Sequence, residues 1–522
     1  MVRVFLVSLS LLFSYSIKAQ TWLRIFQDIH NSNADYVIEN YDKGYLLIGS
    51  INYIYTWLIK TDINGNMLWN KKFGDGQHEL IPVNIESTLD HGYIIGANTS
   101  KYSTNDACIF KLNSCGELEW CNVIYTPSFG FDYGGQAKPT PDGGYIFYRL
   151  DEKYNTNRDH LYKFDSSGQL LWHQQITTNP LAFGEDVYDL IVDSTGIFLN
   201  GNCYFPDPGQ TIGVERFYLV KTDTTGQKHW GVVYGDSTYY YGYSICSIKG
   251  SSGNYYAFGW RDDLVSGNSF PALVKVLGNG TPSYNKDIFT TSSGGINTSR
   301  WLNDTVIILG GTIPINSSVS QVIILKTDTL GNLKLMVTLP QLTNGFESTA
   351  KTFDNKFVST GDMWSVTKEV IYLIKVNSAL QFDSVYSHLF TYDSLCSHTI
   401  TSDTINPDCG LIVNVEEPFN NPETTLLKVY PNPTSEFLVV ELPKYLKVQN
   451  NSSNFQSTTI YHQWKSTTLE AYNLNNKLVF RKEIPKDQTR LELDVSAWGK
   501  GMYFFRLSYN KNTVAGEKVI IE

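Results

Sequence analysis

Ile59-Lys60-Thr61-Asp62-Ile63-Asn64-Gly65-Asn66-Met67-Leu68-Trp69 (IKTDINGNMLW) is one copy of a text that recurs down the chain. FKLNSCGELEW ends at Trp120, YKFDSSGQLLW at Trp172 and VKTDTTGQKHW at Trp230. Looser copies are VKVLGNGTPSY to Tyr284, LKTDTLGNLKL to Leu335 and IKVNSALQFDS to Ser384. The turn glycines are Gly65, Gly116, Gly168, Gly226, Gly280 and Gly331, with Leu380 in the seventh place, at spacings of 51, 52, 58, 54, 51 and 49 residues. A period near 50 is that of propeller blades.

A second turn lies upstream in each unit: Asp42-Lys43-Gly44-Tyr45, Asp90-His91-Gly92-Tyr93, Asp142-Gly143-Gly144-Tyr145, Asp193 to Ile197, Gly253-Asn254-Tyr255, Asp304-Thr305-Val306 and Asp354-Asn355-Lys356-Phe357. Asp, Asn and Gly suit tight hairpins because they tolerate positive φ. The apolar runs that follow, such as YLLIGS and YIIGAN, are short and bounded by turns, as central strands are. One unit thus reads as four antiparallel strands, and seven units as seven blades. The recurring Trp reads as a packing residue between blades. Two segments compete for the outer strand of the last unit. TWLRIFQD aligns Trp22 and Phe26 with Trp69 and Phe73, which would close the ring and remove an edge. LQFDSVYS lies in the last unit itself.

At 522 residues, 42% hydrophobic and 18% charged, the chain has the make-up of a folded protein of more than one domain. Aromatics make up 14%, which favours strands. The net charge of −10 argues against a nucleic-acid partner. Arg3, the apolar run VFLVSLSLLFSYSI and Lys18-Ala19-Gln20 describe a secretory signal peptide, too short to span a bilayer; no other segment reads as a transmembrane helix.

Seven Cys form no CxxC pair. Cys396 and Cys409 bracket a short loop and are the expected disulfide, and one thiol of an odd set is left over. The nine His are scattered, and no HExxH, GxSxG or P-loop occurs. The acidic turns carry too few oxygen ligands for calcium. No catalytic residue, cofactor or metal site is expected.

From Phe390 the text becomes polar and reads as a linker. It is followed by LLKVYPNPTSEFLVVELP, TTLEAYNLNNKLVFRKEI and TRLELDVSAWGKGMYFFRLSYNKNTVAGEKVIIE, whose alternation suggests a small β-sandwich.

The repeat resembles those of extracellular propellers of Bacteroidota. The C-terminal segment resembles the type A sorting domain of their type IX secretion system. The residues that carry this are Tyr430-Pro431-Asn432-Pro433, Gly501, Tyr503 and Lys518-Val519-Ile520. The resemblance implies passage across the outer membrane by the type IX machinery, then release or attachment at the cell surface. Here Asn476 replaces a usual turn glycine, and KYLKVQNNSSNFQSTTIYHQWKS is inserted between the first two strands.

The expectation is an all-β protein, a seven-bladed β-propeller followed by a small C-terminal β-sandwich. Residues 1–19 are the signal peptide, 20–389 the propeller, 390–425 the linker and 426–522 the sorting domain. The first functional reading is a secreted or cell-surface binding or adhesion module for an extracellular glycan or protein ligand, its loops around Cys203–Phe217 and Arg261–Pro271 making contact. The rival is a secreted hydrolase or lyase acting on polysaccharide or protein, with a site in the propeller channel. Carboxylates converging at one mouth with shifted pKa values would favour it.

Overall fold

The computed structural model describes residues 22–102, 105–125, 131–153, 156–176, 184–205, 214–234, 242–263, 266–316, 319–343, 345–365, 367–388, 390–413, 427–442, 445–448, 458–461, 467–473, 477–485, 488, 490–509 and 512–522. The expected signal peptide at residues 1–19, the centre of the Cys203–Phe217 loop, residues 414–425 and most of the inserted segment lie outside them. Every regular element described is a strand. The chain divides into two compact units, Met1–Val413 and Asn414–Glu522.

In the first unit the repeat becomes a series of four-stranded antiparallel sheets, giving a β-propeller-like all-β fold. Sheet 1 holds Ser32–Glu39, Tyr45–Ile51, Tyr55–Thr61 and Met67–Phe73. Sheet 2 runs from Leu80 to Tyr125, sheet 3 from Phe131 to Ile176, sheet 4 from Gly184 to Tyr234, sheet 5 from Gly242 to Asp287 and sheet 6 from Gly295 to Thr343. Sheet 7 holds Ser348–Lys351, Phe357–Trp364 and Glu369–Val376, and takes Leu23–Phe26 as its outer strand. The segment after Leu380 makes only a bridge from Phe382 to Val376. First strands of successive sheets pack on one another, and that of sheet 7 packs on that of sheet 1. Strand alternation fills the space between sheets. Leu46 and Ile48 face Ile85 and Ile95 of sheet 2, while Val37 and Leu47 face Val358 and Leu373 of sheet 7.

The conserved-looking letters of the repeat are partners. Lys60 places its Nζ 2.7 Å from both oxygens of Asp42, with the two side chains 0% and 1% exposed. Lys111 meets Asp90 at 2.8 Å, Lys163 meets Asp142 at 2.7 Å and Lys375 meets Asp354 at 3.3 Å. Sheet 4, whose turn differs, diverges: Lys221 donates to the Thr195 carbonyl, and Asp193 pairs with Lys249.

Positive φ in the upstream turns falls on Lys43, His91 and Gly143, the residue before the shared glycine. The shared glycine serves close approach instead. A Cβ at Gly44 would lie 2.2 Å from the Thr61 carbonyl oxygen, and one at Gly92 would lie 2.3 Å from that of Leu112. At the downstream turn positive φ does coincide with the repeat position, and Leu380 holds it at 62°.

Each repeat Trp lies on the next sheet's downstream turn. A Cβ on Gly116 would sit 2.9 Å from the Trp69 ring, and one on Gly168 would sit 2.6 Å from Trp120. The indole N–H groups of Trp120 and Trp230 donate to the Ser166 and Gly278 carbonyls of the next sheets. Trp22, 1% exposed, does the same for sheet 1: a Cβ on Gly65 would lie 2.9 Å from its ring.

Two expectations are corrected. Residues 390–413 are not a free linker. Asp403–Ile405 adds parallel to Lys71–Phe73 of sheet 1, and Gly410–Val413 adds parallel to Asn122–Tyr125 of sheet 2. The cysteines pair as Cys115–Cys396 and Cys121–Cys409 rather than as Cys396–Cys409. The chain between them is spread along outer sheet edges, so each sulfur meets a cysteine of sheet 2 instead of the other. Cys108, Cys203 and Cys246 are free and buried.

In the second unit, Lys428–Tyr430, Phe437–Glu441 and Arg490–Asp494 form one antiparallel sheet. Leu478–Glu483, Thr467–Asn473, Gly501–Tyr509 and Asn512–Ile521 form another. Val429, Leu438, Val440 and Leu491 of the first share an apolar core with Leu469, Phe505 and Val519 of the second.

Lys60→Met would leave the Asp42 carboxylate buried without its counter-charge, an expected loss of about 3 kcal/mol in urea unfolding. Lys334→Met, at a pair whose lysine is 53% exposed, should change stability by less than about 0.5 kcal/mol. Peptide mapping without reduction should recover the 115–396 and 121–409 cross-links.

Candidate functional site

The inner strands carry the features that point away from the packed sheets. Those of sheets 1 to 6 each have a bulge, between Ala34 and Tyr36, Pro82 and Asn84, Gly134 and Ala137, Val187 and Asp189, Ser244 and Cys246, and Ile296 and Thr298. A bulge bends a strand and re-aims its side chains. Just beyond it, four inner strands bring polar groups together. Lys138 lies 2.6 Å from Glu86 and 5.8 Å from the centre of the Tyr36 ring, and Arg300 donates to the Tyr36 hydroxyl at 3.4 Å. Burial by itself would lower the Lys138 pKa; the Glu86 and Tyr36 charges outweigh it and hold the ammonium above its usual range.

Asp35 occupies the bulge of sheet 1 and opens a second cluster, between sheets 7 and 1. A Cβ on Gly345 would lie 2.7 Å from Asp362 Oδ1 and 2.8 Å from Glu347 Oε1, so both carboxylates converge on this glycine. Gly345 is held by Tyr372, whose hydroxyl donates to its carbonyl at 2.7 Å, and by its own N–H to the Asp362 carbonyl at 3.2 Å. Glu369 accepts from the Asn33 side-chain amide at 2.8 Å. Asp35 Oδ2 is buried and meets no hydrogen-bond donor.

Among the described residues, no cation contributes to the fields on Asp35, Glu347 or Asp362. Burial, then the charges of Glu347 and Asp362, push the Asp35 carboxyl well above the usual range. Glu347 is exposed as a residue, while crowding around its carboxyl and the Asp362 charge push it up to about 7; burial and Glu369 raise Asp362 to about 6. Beside these acids stand two exposed aromatics. Trp364, cross-strand from Glu369, is 55% exposed, and Tyr53 is 50% exposed. Tyr53 also has φ at 62°, an outlier for a bulky residue. Its hydroxyl pKa is raised by burial and by Glu369, Asp362 and Asp35.

The only three ligand atoms brought within 4.8 Å of one another among the described residues are the sulfurs of Cys108, Cys121 and Cys409. Two of these are joined in a disulfide. Near the expected contact loop at Arg261–Pro271, Arg261 is engaged by Asp287.

The sorting-signal residues are brought together in the second unit. Asn432 donates from Nδ2 to the Lys518 carbonyl at 2.7 Å, and its Oδ1 accepts the Ile520 N–H at 2.9 Å. Pro431 and Pro433 flank it, each after a cis peptide bond. Tyr430 is 40% exposed, and its hydroxyl reaches Glu441 at 2.5 Å. Gly501 pairs with Ile521 at the start of its strand. Tyr503 donates to the Gly499 carbonyl at 2.7 Å and packs on Trp498 at 5.0 Å.

Residues 428–522 match the family described as the secretion system C-terminal sorting domain. The tail is a type IX sorting domain. It marks the chain for export to the medium or the outer-membrane cell surface by the type IX machinery. Among the described residues no helix is long and apolar enough to cross a membrane. No curated protein matches the chain. Solved structures similar to it include a protein of unknown function from Bacteroides caccae, at 14% identity and TM-score 0.31, covering 49% of this chain and 81% of that one. An ulvan lyase of polysaccharide lyase family PL25 has 9% identity and TM-score 0.43, with 69% and 96% covered. YCF48 from Cyanidioschyzon merolae has 9% identity and TM-score 0.39, with 67% and 98% covered.

The acid cluster was not found in the sequence, because Asp35, Tyr53, Glu347, Asp362 and Glu369 occupy no shared repeat position. The available signal was Asp362, an acid directly after the strand glycine Gly361, where Gly49 is followed by Ser50, Gly96 by Ala97, Gly201 by Asn202, Gly259 by Trp260 and Gly310 by Gly311.

The folded chain holds the Asp362 proton more tightly than the unfolded chain, so the associated stability is present at low pH and is lost as pH rises from about 4 through 6. Asp362→Asn should therefore match the wild type near pH 4 and exceed it at pH 8 by about 1–2 kcal/mol, after discounting for partial exposure. Urea midpoints at the two pH values measure this.

Proposed function

We propose that the protein is a secreted or cell-surface seven-bladed β-propeller that binds an extracellular ligand without catalysis, delivered by a C-terminal β-sandwich sorting domain. The observation that carries the binding reading is the acid cluster at Asp35, Glu347 and Asp362, flanked by exposed Trp364 and Tyr53. Uncompensated charge and exposed aromatic surface both cost free energy in the free protein, and a ligand would relieve both. Residues 1–19 act as a signal peptide, and the propeller begins near Gln20. Residues 414–425 remain as the connection to the sorting domain. The likeness of the repeat text to that of Bacteroidota propellers supports a source among them.

A second reading, a secreted hydrolase or lyase acting on polysaccharide or protein, draws on Glu347 and Asp362. Two carboxyls that titrate at about 7 and about 6 and converge on one glycine have the make-up of an acid–base pair. Turnover of a polysaccharide or protein substrate that Glu347→Gln abolishes would replace the binding reading.

Deleting residues 428–522 should hold the protein in the periplasm, while the intact chain reaches the medium or cell surface. Fractionation blots with mass spectrometry of the mature ends test this. Export of the truncated chain would overturn the delivery reading.

A further inference from the structure

The seam between sheets 7 and 1 has a charge pattern that narrows its ligand, an inference that rests on the binding reading above. Four carboxylates line it from four stretches of chain: Asp35 from the first inner strand, Glu347 from the turn before Ser348–Lys351, Asp362 from the strand Phe357–Trp364 and Glu369 from the strand after it. Asn33 compensates part of Glu369. The neighbouring Lys368 is turned to the Asp28 carbonyl. Asp35 Oδ2 remains buried with no donor.

Several ligand classes are disfavoured. An anion would add to an uncompensated negative field. A neutral sugar would leave the carboxylates facing one another. A divalent cation needs several oxygens converging on one point, and no three of these carboxylates place oxygens within 4.8 Å of one another. An organic cation fits better. It can donate to separate carboxylates several ångströms apart, and its methylene stem can lie on aromatic surface, as Trp364 and Tyr53 offer.

We propose that this seam forms a cleft that receives a basic side chain, a lysine ammonium or arginine guanidinium, presented by an extracellular protein or peptide. Glu347, Asp362 and Glu369 supply the counter-charge, the buried Asp35 Oδ2 accepts a hydrogen bond from the bound cation, and Trp364 and Tyr53 supply the walls. Binding then grows as the acids ionise. The titratable groups facing the cleft are Asp35, Tyr53, Glu347, Asp362 and Glu369, with Tyr372 behind Gly345 and Lys368 beside it. Of these, Glu347 and Asp362 change charge between pH 5 and 8.

The test is calorimetric titration of the full exported protein with tetralysine, with a norleucine peptide as the uncharged control. Tetralysine should bind about 10-fold more tightly at pH 8 than at pH 5. The double variant Glu347→Gln/Asp362→Asn should lose about 10-fold at pH 8, and Trp364→Ala about 3–10-fold. Lys334→Met should leave binding unchanged. Urea unfolding confirms that each variant is folded, and the two amide replacements remove repulsion rather than packing. Tetralysine affinity equal in wild type and double variant would show only diffuse attraction to an acidic protein and would overturn the proposal. Chitosan oligomers bound in preference to tetralysine, with the same loss in the variants, would overturn the peptide source while the binding reading stands. Displacement of tetralysine by millimolar calcium would assign the cleft to a metal. If neither probe nor calcium responds to the variants, the binding reading fails at this cleft as well.

Discussion

A lysine taken out of water at the end of the third strand and returned to the aspartate of the adjoining turn organises the first unit. At Lys60 and Asp42 both partners are fully enclosed. Such a pair is weak evidence for net stability, because desolvation offsets most of the attraction. Its effect is on uniqueness. Asp42 also accepts the Gly44 N–H, so one carboxylate fixes the turn, and the lysine fixes that turn against the strand beyond it. A slipped register would bury both charges apart, which is far more costly than exposing an apolar side chain. Sheets 1, 2, 3 and 7 share this internal pin of turn against strand. The repeat tryptophan then sets the neighbour, since its ring fits only where the next turn carries no Cβ.

Both devices sit at the turn end of the sheets, and this divides the unit's labour. Asp42, Gly44, Lys60 and Gly65 recur because every sheet must solve the same folding problem at that end. The opposite end, where Asp35, Asp362 and Trp364 lie, carries no recurring text and is free to differ from sheet to sheet. Carboxylates that repel one another can be tolerated there because the Lys–Asp pairs and the inter-sheet cores have already determined the fold. Strain at Tyr53 and the buried Asp35 oxygen that meets no donor are local costs carried by a scaffold that does not depend on them.

What could be read from the sequence follows the same division. The repeat, its turns and the likeness of Trp22 and Phe26 to Trp69 and Phe73 are local in the chain, and local patterns are visible in one sequence. The turn chemistry was legible only in part. The glycine of each DxG turn marked the turn, yet positive φ falls one residue earlier at Lys43 and His91. The cysteine partners were hidden because they depend on where a polar segment docks. Cys396 and Cys409 are neighbours in sequence, but each lies beside a residue about 280 positions away. The acid cleft was hidden for the same reason, being assembled from separate stretches that share no motif.

The sorting tail shows a third case, in which motifs were legible but their relation was not. Pro431-Asn432-Pro433 and Lys518-Val519-Ile520 stand at opposite ends of the domain's sequence, and one side chain joins them. Asn432 uses both its donor and its acceptor on the last strand, where an Asp could accept the Ile520 N–H but could not donate to the Lys518 carbonyl. Thr434 adds backbone bonds to Ile520 and Glu522, so the strand Asn512–Ile521 is bound to the turn that follows the strand Lys428–Tyr430. The last strand thus holds the turn that follows the first strand, and a tail lacking its final residues would leave the Asn432 side chain and the Thr434 backbone without these partners. The address is a folded object rather than a linear tag, and its two ends must both be present for either to have the shape the structure shows.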